Sequence, residues 1–199
     1  MSNPKLALTA FLSHKYKAPA VNDYFFQLFS RTANVEFEVD EGSLATNVTR
    51  LERLIRDADA FIGIYPFDEG GPENPTAADL ATAARYFRLE LDIAARARKP
   101  GLVFSDLRFR GIISSPPPIH QVSFDIQEVT GGGAKPSSEK FQKAFGEFCT
   151  QVRASRAYGL TMDQGDASNV GILLPQGGVQ LGYSRTGRRR TQHDSHPPF

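Results

Sequence analysis

The first two-thirds of this chain alternate short apolar runs with segments of helical period, and that alternation constrains the fold more than any other feature. Leu6 to Ser13 (LALTAFLS) is a short apolar run, as a buried strand requires. Pro19 opens a segment in which Val21, Phe25, Leu28 and Phe29 recur at helical spacing, with the proline near the first turn. Val35 to Val39 alternates apolar and acidic residues, the pattern of a strand near a sheet edge. Over 46–58, Val48, Leu51, Leu54 and Ile55 form an apolar stripe with Arg and Glu opposite. Ala60 to Phe67 (AFIGIYPF) is continuous, β-branched and aromatic, and gives the strongest strand signal in the chain.

A long helix is predicted over Thr76 to Lys99, with Leu80, Ala84, Phe87, Leu91 and Ala94 on one face, followed by a strand over Gly101 to Asp106. Gln121 to Asp125 reads as a further strand. Ser137 to about Tyr158 reads as a last helix, with Phe141, Phe145 and Phe148 as its apolar face. Strands alternating with helices specify an α/β, flavodoxin-like fold: a parallel sheet with helices on both faces. After Gly159 the character changes. Val170 to Pro175 and Val179 to Tyr183, joined by Gln-Gly-Gly, read as a short β-hairpin, and a polar tail expected to be disordered follows. The expected organisation is an α/β domain over 1–159. Residues 160–199 then form an accessory hairpin, or the start of a further domain, with a basic tail.

Composition narrows the class. A net charge of +1 gives no whole-chain reason to expect nucleic acid or an anionic membrane as partner. The single cysteine, Cys149, excludes an intramolecular disulfide and offers no zinc spacing. The N-terminus lacks a basic start before an apolar core, and no apolar run approaches the roughly 20 residues that span a bilayer. The expectation is a soluble, cytoplasmic protein with no membrane contact. No GxGxxG follows the first strand and no Walker A motif occurs, which disfavours a bound redox dinucleotide or ATP hydrolysis. His193, Asp194 and His196 lie in a proline-ending tail, so no metal site is expected there. Arg185 and Arg188 to Arg190 read as solvated charge.

Candidate chemistry centres on Glu90. In an α/β sheet, ligands gather in the crevice outside the carboxyl ends of the strands, and a helix bordering that crevice can offer one acid to a sugar or nucleotide. Helical spacing puts Glu90 on the shoulder of its apolar stripe, near the azimuth of Ala83 and Ala94, neither fully solvated nor fully buried. It is either a pocket wall or an ordinary helix carboxylate. His14 sits in the loop after the first strand, beside Ser13 and Lys15, where a nucleotide phosphate or ribose can lie, or where polar side chains are simply solvated. Asp40 either lines the crevice or caps the helix near Thr46. Asn47 either touches substrate or bonds locally. Tyr65 and Phe67 end the central strand, to stack on a base or to fill the core.

The stretch Thr9 to Lys15, containing Phe11-Leu-Ser13, resembles the opening strand and loop of TIR (Toll/interleukin-1 receptor) domains. Val39-Asp40 with Gly42 is similar to the start of that family's BB loop. Ile55 to Phe67 matches its helix into the third strand, and Leu89-Glu90-Leu91 its Glu-Leu helix motif. The resemblance covers Leu6 to Asp106, about half the chain, and is of a divergent bacterial type. The serine that many TIR domains carry six residues before this glutamate is Ala84 here, with Tyr86 and Phe87 in the aromatic region.

For NAD-cleaving members, the resemblance implies that Glu90 is catalytic, that NAD is substrate rather than cofactor, and that the nicotinamide–ribose bond is broken by hydrolysis or cyclisation. On that reading Phe11, Ser13, His14 and Lys15 shape the nicotinamide and ribose side, and Asp40, Asn47, Tyr65 and Tyr86 are further expected substrate contacts. It also implies self-association, activation by assembly and a signalling or antiphage-defence setting. Non-enzymatic members imply a homotypic interaction module instead. Glu90 to Ala94 followed by Lys99-Pro100 also resembles nucleoside 2-deoxyribosyltransferases, which attack the same kind of N-glycosidic bond.

Overall fold

A computed structural model describes residues 7–32, 35–40, 47–67, 71–72, 74–131 and 135–164. Strands β1 (Leu8–His14), β2 (Val35–Glu38), β3 (Ala60–Tyr65), β4 (Gly101–Asp106) and β5 (Ile119–Phe124) pair in parallel in the order β2-β1-β3-β4-β5. This is the flavodoxin-like order. Between and after the strands run helices α1 (Pro19–Thr32), α2 (Val48–Asp57), α3 (Ala77–Arg96), α4 (Ile126–Thr130) and α5 (Lys135–Gln164).

Strand alternation splits the apolar side chains into two cores. Leu8, Ala10 and Leu12 of β1, Ala60, Ile62 and Ile64 of β3 and Phe104 of β4 meet α1 and α5 on one face. The aromatic weight is here: Phe25 lies 4.7 Å from Phe104 and Phe29 lies 4.5 Å from Phe145, between ring centroids. On the other face, Phe11, Phe61, Tyr65 and Val103 meet Leu51 and Ile55 of α2 and Ala84, Phe87 and Leu91 of α3. The helix stripes read from the sequence are thus the faces that pack.

Several expectations shift. β3 ends at Tyr65 rather than Phe67, because the Phe67 N–H turns away to donate to Asp106 Oδ2 (3.3 Å). β5 starts two residues earlier than its alternation suggested, and the short α4 was not anticipated at all. A capping box builds α4: the Asp125 side chain accepts from the Gln127 N–H, and Glu128 reaches back to the Asp125 N–H. Val48, expected in the α2 stripe, is the first residue of the helix and is exposed. The last helix continues through Gly159 to Gln164. The expected hairpin and the basic tail lie outside the described residues. Among the described residues no helix is long and apolar enough to cross a membrane.

Helix α3 carries Glu90, and both its ends are fixed. Thr76 Oγ1 accepts from the Asp79 N–H (3.2 Å) while the Asp79 carboxylate accepts from the Thr76 N–H (2.9 Å). At the other end, Arg98 adopts φ 53°, and the Lys99 N–H closes back on the Ala94 carbonyl (3.0 Å).

Candidate active site

The chain leaves β1 for β2 on one side, then crosses to β3 on the other. Strand order therefore reverses between β1 and β3, and the crevice beyond their carboxyl ends is the place where folds of this order bind ligands. Ser13 and His14 end β1, Tyr65 ends β3, and Ser13 stands in register with Gly63, His14 with Ile64. Ser13, like Phe11 two residues before it, faces α3.

Glu90 meets Ser13 there. The Ser13 hydroxyl donates to Glu90 Oε2, and Tyr86, one turn earlier on α3, bonds the same carboxyl. Glu90 is 2% exposed, not the half-solvated shoulder the spacing implied. The buried arc of α3 is wider than its apolar stripe and takes in Ile93 and Glu90 as well as Ala84, Phe87, Leu91 and Ala94. Burial pushes the Glu90 carboxyl up to about 7; the Ser13 and Tyr86 hydrogen bonds oppose that rise and the nearby Asp40 charge adds to it. Near neutrality this group therefore exchanges between acid and carboxylate.

The surrounding residues divide into those at the crevice and those beneath it. Asp40 borders the site: it pairs with Arg50 of α2 at 3.0 Å, and its carbonyl accepts from the Tyr16 hydroxyl (2.6 Å). It does not cap α2. That cap is Asn47, whose side chain accepts from the Arg50 N–H (3.0 Å), so Asn47 bonds locally. His14 lies tilted against Tyr16 (4.7 Å) and meets Phe26 edge-on (5.5 Å). Burial lowers its proton affinity. Lys15 presents its carbonyl to Asn22 Nδ2 (2.8 Å) at the start of α1.

Tyr86 is 39% exposed, with its hydroxyl end on Glu90, so it stands between the carboxyl and the outside. Phe11 does not shape the crevice wall. It is fully buried and stacked on Phe61 (6.0 Å), under the site. Tyr65 is likewise no open stacking platform: its ring is fully buried against Phe87 at 4.2 Å.

Three contributors escaped the sequence reading. Tyr16, 61% exposed, joins the rim, and an aromatic residue directly after Phe-Leu-Ser-His-Lys was the available signal. Asp106, buried at the end of β4, accepts from the Phe67 and Arg108 N–H groups and from the Arg108 guanidinium (2.9 and 2.6 Å), whose carbon lies 4.8 Å over the Phe67 ring. An Asp at a strand end with Arg two residues on was its signal. Gly63 had none. A depression of about 490 Å³ on α3, lined by Ala81, Thr82, Arg85, Arg88, Leu89 and Asp92, belongs to that helix's solvated face and is not the crevice.

Fold and site together define a flavodoxin-like α/β protein with a buried, near-neutral carboxyl at its topological switch point. No protein-family model and no curated protein matches the chain. Among solved structures, a metal-soaked flavodiiron core of Flv1 from Synechocystis matches with a TM-score of 0.36 at 14% identity, over 76% of this chain and 37% of that one. At that similarity the match bears on neither ligand nor activity.

Proposed function

We propose that the protein cleaves the nicotinamide–ribose bond of NAD, with Glu90 as the catalytic carboxylate. The observation that carries this reading is the Glu90 carboxyl, buried at the β1/β3 switch point and held by Ser13 and Tyr86. When the C1′–N bond breaks, its electron pair leaves with nicotinamide, which departs neutral, and positive charge develops on the ribose. A fixed carboxylate in a site with little water stabilises that charge far more than a solvated one does. Water or an internal nucleophile then bonds C1′, and its proton passes to solvent. No strong general acid is required, so one carboxylate and good orientation suffice. In the reacting complex a ribose hydroxyl takes the place of Tyr86 on Glu90, while His14, Tyr16 and Asp40 form the rim.

Assembly belongs to the same reading. Tyr16, Phe26 and Val48 expose apolar surface around the carboxyl ends of β1 and β2, the end at which TIR-like domains would meet one another. Lys99-Pro100 leads directly into β4, the feature on which the deoxyribosyltransferase resemblance rests, and Lys99 Nζ donates to the Ala58 carbonyl at the amino end of the sheet, so that reading stands as the alternative.

The discriminating experiment incubates concentrated protein with NAD, or with a deoxynucleoside plus a free base, and follows products by chromatography. Nicotinamide release is the expected result. Base exchange without NAD cleavage would replace this reading with the transferase. Inactivity with both substrates, together with concentration-dependent oligomers in sedimentation, would replace it with an interaction module.

A further inference from the structure

Tyr65 carries a hydroxyl that is buried, that has no partner at full hydrogen-bond geometry, and that lies within reach of Ser13, beside the Ser13–Glu90 pair. Phenylalanine would fill the same space without stranding a polar group, so the hydroxyl is not there for packing. Its placement depends on a clearance. The ring lies back along β3 over Gly63, where a Cβ would fall 2.8 Å from Tyr65 Cζ and 3.0 Å from Oη. Gly63 is the register partner of Ser13, so lying over Gly63 delivers Oη to the Ser13 side of β1. Phe87, stacked at 4.2 Å, holds the ring from above.

We propose that Tyr65 is a positioning residue for Glu90: it donates to Ser13 Oγ when the carboxyl ionises, so that a buried chain Tyr65–Ser13–Glu90 fixes the carboxylate in its reacting orientation. This rests on the reading of Glu90 as the reacting carboxylate. While Glu90 is neutral it keeps its own proton and asks little of Ser13. Once ionised it draws the Ser13 hydroxyl fully, leaving Oγ lone pairs that a second donor satisfies and polarises. No proton leaves Tyr65, since burial, and next the Glu90 charge, hold its phenol well above the usual range. The other groups facing Glu90 are Tyr86 from its own helix, which donates directly, and Asp40 beyond β2, whose charge opposes ionisation.

Tyr65→Phe tests this in the full chain. The Glu90 pKa, followed by carbon NMR of labelled glutamate without substrate, is expected to rise by about half to one unit, because the charged form loses a supporting donor. Nicotinamide release at neutral pH is expected to fall about two- to fivefold and to recover at higher pH, with KM nearly unchanged. Gly63→Ala, which displaces the ring, is expected to shift the pKa the same way. A merely structural Tyr65 would leave the Glu90 pKa unmoved in Tyr65→Phe, and that result would overturn the proposal. If the wild type released no nicotinamide while Tyr65→Phe still moved the pKa, the NADase reading would fall and the positioning role would stand.

Discussion

At the scale of single residues, a carboxyl buried like that of Glu90 works against folding whenever it is charged. Its proton affinity in the folded chain, about 7, lies above the ordinary value of 4.5. The folded state therefore holds a proton that the unfolded chain has lost, and the associated stability is full below about pH 4.5 and lost as pH rises through about 7. Glu90→Gln removes this dependence. Urea denaturation should find the variant gaining on the wild type by about 3 kcal/mol between acid and mildly alkaline pH; equal pH dependence of the two proteins would count against a buried, near-neutral carboxyl. The sequence revealed that Glu90 borders the apolar stripe. It hid the burial, because helical spacing gives an azimuth and not what lies across from it: the partner across from Glu90 is Ser13, 77 residues away. The core alternative is the one Tyr65 takes, since an aromatic at a strand end has the same pattern whether it opens on a crevice or packs on Phe87. Phe11, expected at the ribose side from the resemblance, packs on Phe61 instead.

At the scale of elements, the strands and helices were legible because periodicity reports burial, and burial is what strands and helices share out between them. The apolar faces of α1, α3 and α5 pack as read. What escaped was held by side chain to backbone bonds that have no period: the choice of Asn47 over Asp40 as the α2 cap, the box that makes α4, and Asp106. Asp106 ties the end of β3 to the 3-10 turn Leu107–Phe109, accepting two backbone N–H groups and the Arg108 guanidinium. Asp106→Ala leaves those donors without their acceptor and is expected to cost on the order of 2–3 kcal/mol in chemical denaturation. A loss within a few tenths would mean that Arg108 is held by other contacts.

At the scale of the whole molecule, the two ends of the sheet do different work. The carboxyl end gathers Ser13, Tyr86, Asp40 and Tyr65 around Glu90, with His14 beside Tyr16 and Phe26. The amino end is tied for stability: Asp59 Oδ2 accepts from the Thr9 N–H (3.0 Å) and from Arg156 Nη1 of α5 (2.8 Å), and Arg156 also reaches the Ala7 carbonyl (3.0 Å). Asp59→Ala is expected to cost about 1 kcal/mol, since the pair is partly exposed, while NAD cleavage per folded molecule stays at the wild-type rate.

The opposite behaviour is required of Glu90, and nicotinamide release from NAD by wild type and Glu90→Gln, measured from about pH 5 to about pH 9, is the most direct comparison. A glycosidase that uses the Glu90 carboxylate gives a wild-type rate that climbs through about pH 7 to a plateau, with the variant at least about a hundredfold slower throughout. A variant that releases nicotinamide at the wild-type rate would contradict it.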